Sequence, residues 1–358
     1  MTVISQTTRP IRIDGLQYCN WSRTIFQQMN DAGLSAVHAT ISYHESFRET
    51  VDRIVEWNWR FREYDDLILA GRSVDDIDRA RASNRTAIFF GLQNSSPIDG
   101  DLGLVEVLHV LGVRFMQLTY NNQSLLACGW CEKEDSGITR MGREVIREMN
   151  RLGMVVDMSH SSERSTLETI ELSERPIAIT HANPSSWHRS GRNKSEQVLL
   201  ALAKSGGLLG VSLYAHHLRS GPRTSLNDYC GMVARLAELI GVEHIGVGSD
   251  LCQNQPDSVL QWMREGRWTR PGRDEPRAGF PPQPEWFVDS LGIGNLARGL
   301  GDIGFSNLEV DQILGGNWYR FMSESFASAL DTTKGTKDLE FSAPVAQAPA
   351  GEISKITK

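Results

Sequence analysis

Short runs of apolar residues recur along the chain, and most are followed by a segment in which apolar residues have helical spacing. Valine, isoleucine and leucine occupy both faces of these runs, which is typical of parallel strands covered by helices. The runs predict eight strands: Ile11–Cys19, Ala36–Tyr43, Ala87–Gln93, Arg114–Tyr120, Val155–His160, Ile177–His181, Leu208–Tyr214 and His244–Asp250.

Helices are predicted between the strands. The segment Met141–Leu152 carries apolar residues at helical spacing, and Gly153 follows as a stop signal. Leu226–Ile240 and Ser195–Lys204 show the same periodicity. Because strand and helix alternate about eight times, the pattern favours a closed (β/α)8 TIM barrel over an open doubly wound sheet.

Three segments depart from this repeat. Ser46–Leu67 predicts a longer, aromatic-rich helical insertion after the second strand. Residues 251–286 are rich in Pro, Gly and Trp, which predicts a long loop acting as a lid or a subunit contact, followed by helices to about Phe326. Residues 331–358 have too few apolar positions to fold alone, so we expect one barrel domain over residues 1–330 and a flexible tail.

Composition narrows the class of protein. The 358 residues are 40% hydrophobic and 23% charged, as in ordinary globular enzymes, and the net charge of -7 argues against binding to a nucleic-acid backbone. The start of the chain resembles no signal peptide, and no apolar run reaches the ~18 residues of a membrane span. Five cysteines, an odd number, favour reduced thiols. We therefore expect a cytoplasmic protein with a small-molecule substrate and neither nucleic acid nor membrane as partner.

Three apolar strands end in residues that bind metals. They are His160 in VVDMSH, His181 in IAITH and Asp250 in IGVGSD. A single such histidine is more commonly a structural hydrogen-bonding residue, but the C-terminal strand ends of a barrel surround one pocket. Two imidazoles and a carboxylate there predict a divalent metal site with an open position for water. Asp157 is expected to orient one of the imidazoles.

The stretch from Ile98 to Asp250 resembles the renal or membrane dipeptidase family. The matching segments are IDGDLGLVEVLHVLGVRFMQLTYNN, GITRMGREVIREMNRLGMVVDMSHSSE, RPIAITHANP, GRNKSEQVLLALAKSGGLLGVSLY and LIGVEHIGVGSD. The resemblance implies a metal-dependent (β/α)8 barrel of the amidohydrolase-like group. It also implies cleavage of dipeptides with a bridged pair of zinc ions, and a homodimer.

Matching the motifs transfers roles to individual residues. His160 and His181 would be metal ligands, and Asp250 would accept the proton of the attacking water. Arg192, in the GRN motif, would bind the substrate carboxylate bidentately. Its neighbour Asn193 is a further candidate for substrate binding.

Three parts of the family pattern are missing. The His-x-Asp metal pair of the first strand is replaced by residues within Leu16–Tyr18, and the bridging Glu is replaced by Gln93. Tyr120, in LTYNN, replaces the histidine that polarises the scissile carbonyl, which makes it a candidate for both catalysis and substrate binding.

Losing three ligands and two negative charges disfavours a second divalent ion, because ligand charge offsets the desolvation of the cation. We therefore predict one ion, zinc by preference, rather than two. His160 and His181 would hold it, and Gln93, Asp250, water or substrate would complete its coordination.

Other residues could compensate for the lost ligands. His44 is predicted near the end of the second strand and Cys19 in the first, although a packing role suits both as well. Cys128 and Cys131 form a CxxC that lacks a second ligand pair. His216 and His217 could contact substrate, although adjacent loop residues point in different directions and a surface position is expected for both.

Three functions follow from these observations. The first is a metal-dependent hydrolase that cleaves a dipeptide or similar small amide. The second is a repurposed barrel enzyme acting on a modified amino acid, a cyclic amide or another small molecule. The third is a barrel that binds a carboxylate without turnover.

Overall fold

Eight parallel strands close into a barrel in the computed structural model, which describes residues 9–267, 269 and 279–326. The barrel order is β1-β2-β4-β5-β6-β7-β8-β9, and β9 pairs with β1. The strands are β1 (Ile13–Gln17), β2 (Ala36–Ser42), β3 (Ile68–Gly71), β4 (Thr86–Leu92), β5 (Val113–Gln117), β6 (Val155–Asp157), β7 (Ala178–Ala182), β8 (Leu208–Val211) and β9 (Ile245–Val247). The predicted TIM barrel is confirmed, whereas the predicted tail lies outside the described residues.

The sequence did not predict β3, which has only four residues. It pairs with the first half of β4, from Thr86 to Phe89, whereas β5 pairs with the second half, from Phe90 to Leu92. This strand therefore occupies the gap between β4 and β5 at the N-terminal end of the barrel.

Helices surround the barrel. They are α1 (Arg23–Asp31), α2 (Phe47–Glu63), α3 (Val74–Ala82), α4 (Gly103–Val110), α5 (Arg140–Leu152), α6 (Glu163–Leu172), α7 (Glu196–Lys204), α8 (Leu226–Ile240), α9 (Asp257–Glu265), α10 (Gly292–Asp302), α11 (Asn307–Asp311) and α12 (Asn317–Phe326). The insertion after β2 is helix α2, which begins with a reciprocal capping box between Ser46 and Glu49. Within the described ranges, none of the helices has the length and apolar character to cross a membrane.

A helix lies in the segment that was predicted as a continuous loop. Helix α9 contains Leu260 and Met263, which are buried at helical spacing and line the cavity at the barrel mouth. The prediction of a loop was wrong here because Pro256 and Gly266, which suggested irregular structure, instead flank the helix. Part of the predicted loop, residues 268 and 270–278, lies outside the described residues.

Helix α12 fills the N-terminal end of the barrel. Trp318 is fully buried with Phe321 and Met322, against residues at the beginnings of several strands. Its indole Nε1 donates to the carbonyl of Val247 at 2.8 Å, and the ring occupies the space beside Gly15 and Gly246. In the described part of the chain this end is filled by side chains, so the barrel is open at the C-terminal ends of the strands.

Candidate functional site

A cavity of about 350 Å³ opens at the C-terminal ends of the strands. It brings together five of the predicted site residues: Gln93, Tyr120, His160, Arg192 and Asp250. The other lining residues are Tyr18, Asn121, Asn122, Trp130, Cys131, Ser190, Tyr214, His216, His217, Leu260, Met263 and Arg264. His181 lies fully buried behind His160.

Asn121 fixes the tautomer of His160. The Oδ1 atom of Asn121 accepts a hydrogen bond from the indole Nε1 of Trp130 at 2.6 Å and lies 2.7 Å from Nδ1 of His160. Indole nitrogen only donates, so Asn121 presents an oxygen to both rings. Nδ1 of His160 therefore carries the proton, and Nε2 of the neutral ring has a free lone pair.

His181 has the same tautomer for a different reason. Its Nδ1 lies 2.8 Å from the hydroxyl of Thr180, which donates its own proton to the Asp157 carboxylate at 2.6 Å. The hydroxyl can therefore only accept from His181, which leaves Nε2 of that ring with a lone pair. Asp157 thus orients the imidazole as predicted, but it acts through Thr180.

The two lone pairs face each other, since Nε2 of His160 lies 3.0 Å from Nε2 of His181. Burial, followed by the positive charge of Arg192, holds the pKa of both imidazoles well below the usual range, which disfavours a shared proton. Zinc–nitrogen bonds are about 2.0–2.1 Å long, so one ion can reach both nitrogens. The donor set therefore fits a single divalent cation.

The bridged pair of ions implied by the family resemblance does not fit. Within the part of the chain that the structure describes, no group of three or more His, Cys, Asp or Glu side chains could hold a metal, so among these residue types the two histidines alone supply ligands. The amide of Gln93 donates to the hydroxyl of Thr40 at 2.8 Å. The residues present thus supply half of a dinuclear site.

A hydrophobic cluster occupies the place of the missing first-strand ligands. The register of β1 shifts between Asp14 and Gln17, and Asp14 binds Ser249 and Gln17. Leu16 and Tyr18 instead pack in a buried cluster whose other members are Tyr43, Tyr120 and Met263. This aromatic wall, defined as Leu16, Tyr18, Tyr43, Tyr120 and Met263, leaves the second ion without ligands.

Two cationic side chains hold the segment that carries His160. Arg192 donates to the carbonyls of Ser159 and His181, and Lys194 donates to the carbonyls of Met158 at 3.0 Å and Ser161 at 2.9 Å. Burial lowers the pKa of Lys194 to about 7. Arg192 lines the cavity with N–H groups left to donate, because a guanidinium has five of them.

Asp250 lies in left-handed backbone with φ of 57°, just beyond β9, and its amide donates to the carbonyl of Leu16 at 3.0 Å. Burial raises the pKa of its carboxyl to about 7, although the positive charge of Arg192 opposes this shift. A carboxyl with that pKa can exchange a proton near neutral pH.

The remaining candidates contribute packing and hydrogen bonds. His44 packs edge-on against Tyr120 and Trp262, and its Nε2 lies 3.2 Å from the carbonyl of Met263. Cys19 is a buried thiol. The amide of Asn193 donates to the carbonyls of His188 and His217, so it supports the loops beside the cavity.

In the CxxC and in the pair His216 and His217, one residue is buried and the other is exposed. Cys128 is buried and Cys131 is exposed at the cavity, and both are free thiols. The expectation that His217 lies at the surface was wrong. It is buried, with Nδ1 2.8 Å from the hydroxyl of Ser212, whereas its neighbour His216 is exposed.

Sequence reasoning missed Asn121, Thr180, Lys194 and Arg264. Asn121 and Thr180 fix the histidine tautomers, Lys194 supports the loop of His160, and Arg264 brings a second guanidinium to the cavity from α9. Each of the first two had one signal in the sequence: Asn121 directly follows Tyr120, and Thr180 directly precedes His181.

The amino-acid sequence of this chain is similar to those of known dipeptidases. A family model described as membrane dipeptidase, peptidase family M19, matches residues 19–260. The dipeptidase tcpJ of Claviceps purpurea is 24% identical over 285 residues, covering 79% of this chain and 61% of that protein. An uncharacterized dipeptidase of Schizosaccharomyces pombe is 30% identical over 191 residues, covering 52% and 46%. The chain spans less than two thirds of the length of either relative.

Solved structures show the same barrel. An amidohydrolase from Pseudomonas aeruginosa is 31% identical, with a TM-score of 0.84 over 89% of this chain and 97% of that one. The dipeptidase AC, a metallopeptidase of family M19, is 17% identical, with a TM-score of 0.75 over 89% and 100%. The second match concerns the fold alone.

Proposed function

This chain belongs to the membrane dipeptidase family, and we propose that it is a metal-dependent hydrolase that cleaves a dipeptide or similar small amide. The observation that supports this most directly is the pair of facing Nε2 lone pairs on His160 and His181 beside the cavity. Arg192 and Asp250 line the same cavity. Together they offer a cation site, a carboxylate-binding group and a base.

We assign one divalent ion, zinc by preference, to His160 and His181. When bound, such an ion would polarise the amide carbonyl and lower the pKa of water. The chain maintains both imidazoles as neutral ligands through Asn121 and Thr180, so the site does not need to lose a proton before it binds the cation.

Asp250 is the proposed general base. Its carboxyl, with a pKa of about 7, accepts the proton of the attacking water and returns it to the leaving amine. The free N–H groups of Arg192 bind the substrate carboxylate and orient the amide.

Tyr120 is the proposed donor to the oxyanion, in place of the family's histidine. Its ring stacks on His160 with centroids 4.0 Å apart, which holds it against the metal-binding imidazole. Burial and the charge of Asp250 raise the pKa of its hydroxyl, so the phenol stays protonated and can donate.

Hydrolysis of a panel of small amides, with and without added zinc, tests the proposal. His160→Ala removes a proposed metal ligand and should abolish turnover. Asp250→Asn removes the proposed base and should lower kcat/KM by about 100-fold or more. Asp228→Asn, at an exposed position in the first turn of α8, serves as the matched control and should leave kcat/KM unchanged. Binding of carboxylates without turnover of any amide would show instead that the barrel is non-catalytic.

A further inference from the structure

The cavity carries more positive than negative charge. Arg192 and Arg264 both line it, and Asp250 is the one carboxylate among its described lining residues. In the described ranges, neither guanidinium has a carboxylate within 4.0 Å. Arg264 instead lies beside Tyr214 in the lining of the cavity. Arg192 is buried and Arg264 is exposed at the cavity. Two cations beside one carboxylate favour a ligand with net negative charge.

Apolar side chains also line the cavity. Tyr18, Tyr120 and Met263 of the aromatic wall line it, together with Leu260 from α9. Tyr18 packs edge-on near Tyr43, with centroids 6.4 Å apart, and Tyr43 packs in the same way on Tyr120 at 5.6 Å. These rings offer surface for an apolar or aromatic group of the substrate.

A free dipeptide fits this arrangement poorly. Its ammonium group would lose water on entering the cavity and would need a carboxylate partner, since burying an unpaired charge is unfavourable. Asp250 is the acid available among the described lining residues, and the proposed reaction uses it as the base. Two arginines would also repel the ammonium.

We infer, on the basis of the proposed hydrolase function, that the substrate is an N-acyl amino acid with an apolar or aromatic acyl group rather than a zwitterionic dipeptide. Its carboxylate lies at Arg192 and Arg264, and its acyl group packs on the aromatic wall. Hydrolysis breaks the amide C–N bond. Water supplies the hydroxyl of the new carboxylic acid and a proton to the nitrogen of the released amino acid, and no oxidant or reductant is needed.

A matched pair of substrates tests this inference. N-(3-phenylpropanoyl)glycine and L-phenylalanylglycine differ only in that the second carries an ammonium group on the acyl side. With zinc-loaded protein, kcat/KM should be at least about tenfold higher for the acylated glycine, because the ammonium is uncompensated. Equal or faster hydrolysis of the dipeptide would overturn the inference and leave the hydrolase function intact.

A variant pair isolates charge from shape. Met263→Glu adds a carboxylate to the cavity, and Met263→Gln adds a neutral group of the same size. The preference for the acylated substrate should persist in Met263→Gln and fall at least about fivefold in Met263→Glu relative to it. Thermal unfolding establishes that both variants fold. Identical preferences in the two variants would contradict the assignment.

Binding provides a measurement that does not depend on turnover. Calorimetric titration should give a Kd at least about tenfold lower for 3-phenylpropanoate than for L-phenylalanine, which differ by the ammonium group. If neither amide is hydrolysed, the proposed function fails, and this ligand pair then decides the charge preference of the cavity. Tighter binding of phenylalanine would refute that preference.

Discussion

Nε2 of His160 lies 3.0 Å from Nε2 of His181, and both atoms present lone pairs because each ring keeps its proton on Nδ1. Two acceptors at this distance repel each other unless a cation lies between them. The protein therefore holds the two imidazoles in a geometry that a metal ion relieves.

Removing the partner of one imidazole should weaken metal binding. Thr180→Val takes away the acceptor of the His181 Nδ1 proton, and we expect zinc affinity to fall by about 10–100-fold, as for other groups that orient metal ligands. Competition with a chromogenic chelator measures the affinity. Thr166→Val, at a fully buried hydroxyl in α6, is the control and should bind zinc as the wild type does.

Lys194→Met should destabilise the fold by about 2 kcal/mol, because it removes two hydrogen bonds to the buried carbonyls that flank His160. Urea denaturation measures the loss. Lys204→Met, at an exposed position at the end of α7, should change the free energy of unfolding by less than about 0.5 kcal/mol. Equal effects of the two substitutions would show that Lys194 does not support this loop.

Trp318 packs so closely on β1 that replacing Gly15 should destabilise the fold. A Cβ at Gly15 would lie 2.3 Å from the Trp318 ring, so Gly15→Ala should cost about 1–3 kcal/mol of stability. Gly294, within α10, has open space around the equivalent position, and Gly294→Ala should be neutral or stabilise by up to about 1 kcal/mol. Thermal unfolding of both variants tests the comparison. A neutral effect of Gly15→Ala would argue against close packing of Trp318 on β1 at the N-terminal end of the barrel.

His38 predicts acid sensitivity. Its Nδ1 donates to the carbonyl of Gly15 at 2.7 Å, and its buried Nε2 has no hydrogen-bond partner among the described residues. Burial lowers its pKa from 6.5 to about 4. The unfolded side chain therefore takes up a proton before the folded one does. Its contribution to stability is present above pH 6.5 and falls by roughly 3 kcal/mol as the pH drops to about 4.

His38→Leu removes this titration. Between pH 7 and pH 4.5 the variant should lose roughly 2–3 kcal/mol less unfolding free energy than the wild type, measured by urea denaturation at each pH. Its stability at pH 7 can differ in either direction without affecting the test. The same pH dependence in both proteins would mean that His38 takes up its proton in the folded state.

The barrel could be predicted from apolar runs, but the ends of its strands could not. Val155–His160 was predicted as one strand, whereas β6 ends at Asp157. The Asp157 carboxylate accepts from the backbone N–H groups of Ser159 and Thr180, which draws the chain out of the sheet. His160 therefore lies on a loop beyond the strand. Such side-chain competition for backbone groups is invisible to periodicity.

Residues that face the cavity could be predicted from the sequence more readily than the residues whose hydrogen bonds orient them. His160 and Asn121 are 39 residues apart, and their pairing depends on how two loops meet above the barrel. From the sequence, Tyr18 and Tyr120 could be seen only as replacements for missing family residues, and their packing in one cluster could not be predicted. In the structure β1 shifts register between Asp14 and Gln17, and Leu16 and Tyr18 pack in one buried cluster, of which Tyr18 reaches the cavity.

The number of metal ions bound at His160 and His181 tests the central claim most directly. Anomalous diffraction at the zinc edge, from crystals of protein purified without chelator and supplied with zinc, locates each ion. The account predicts one peak, in contact with Nε2 of both histidines. A second peak about 3.5–4 Å away, as in bridged two-metal sites, or a histidine pair without an ion would contradict it.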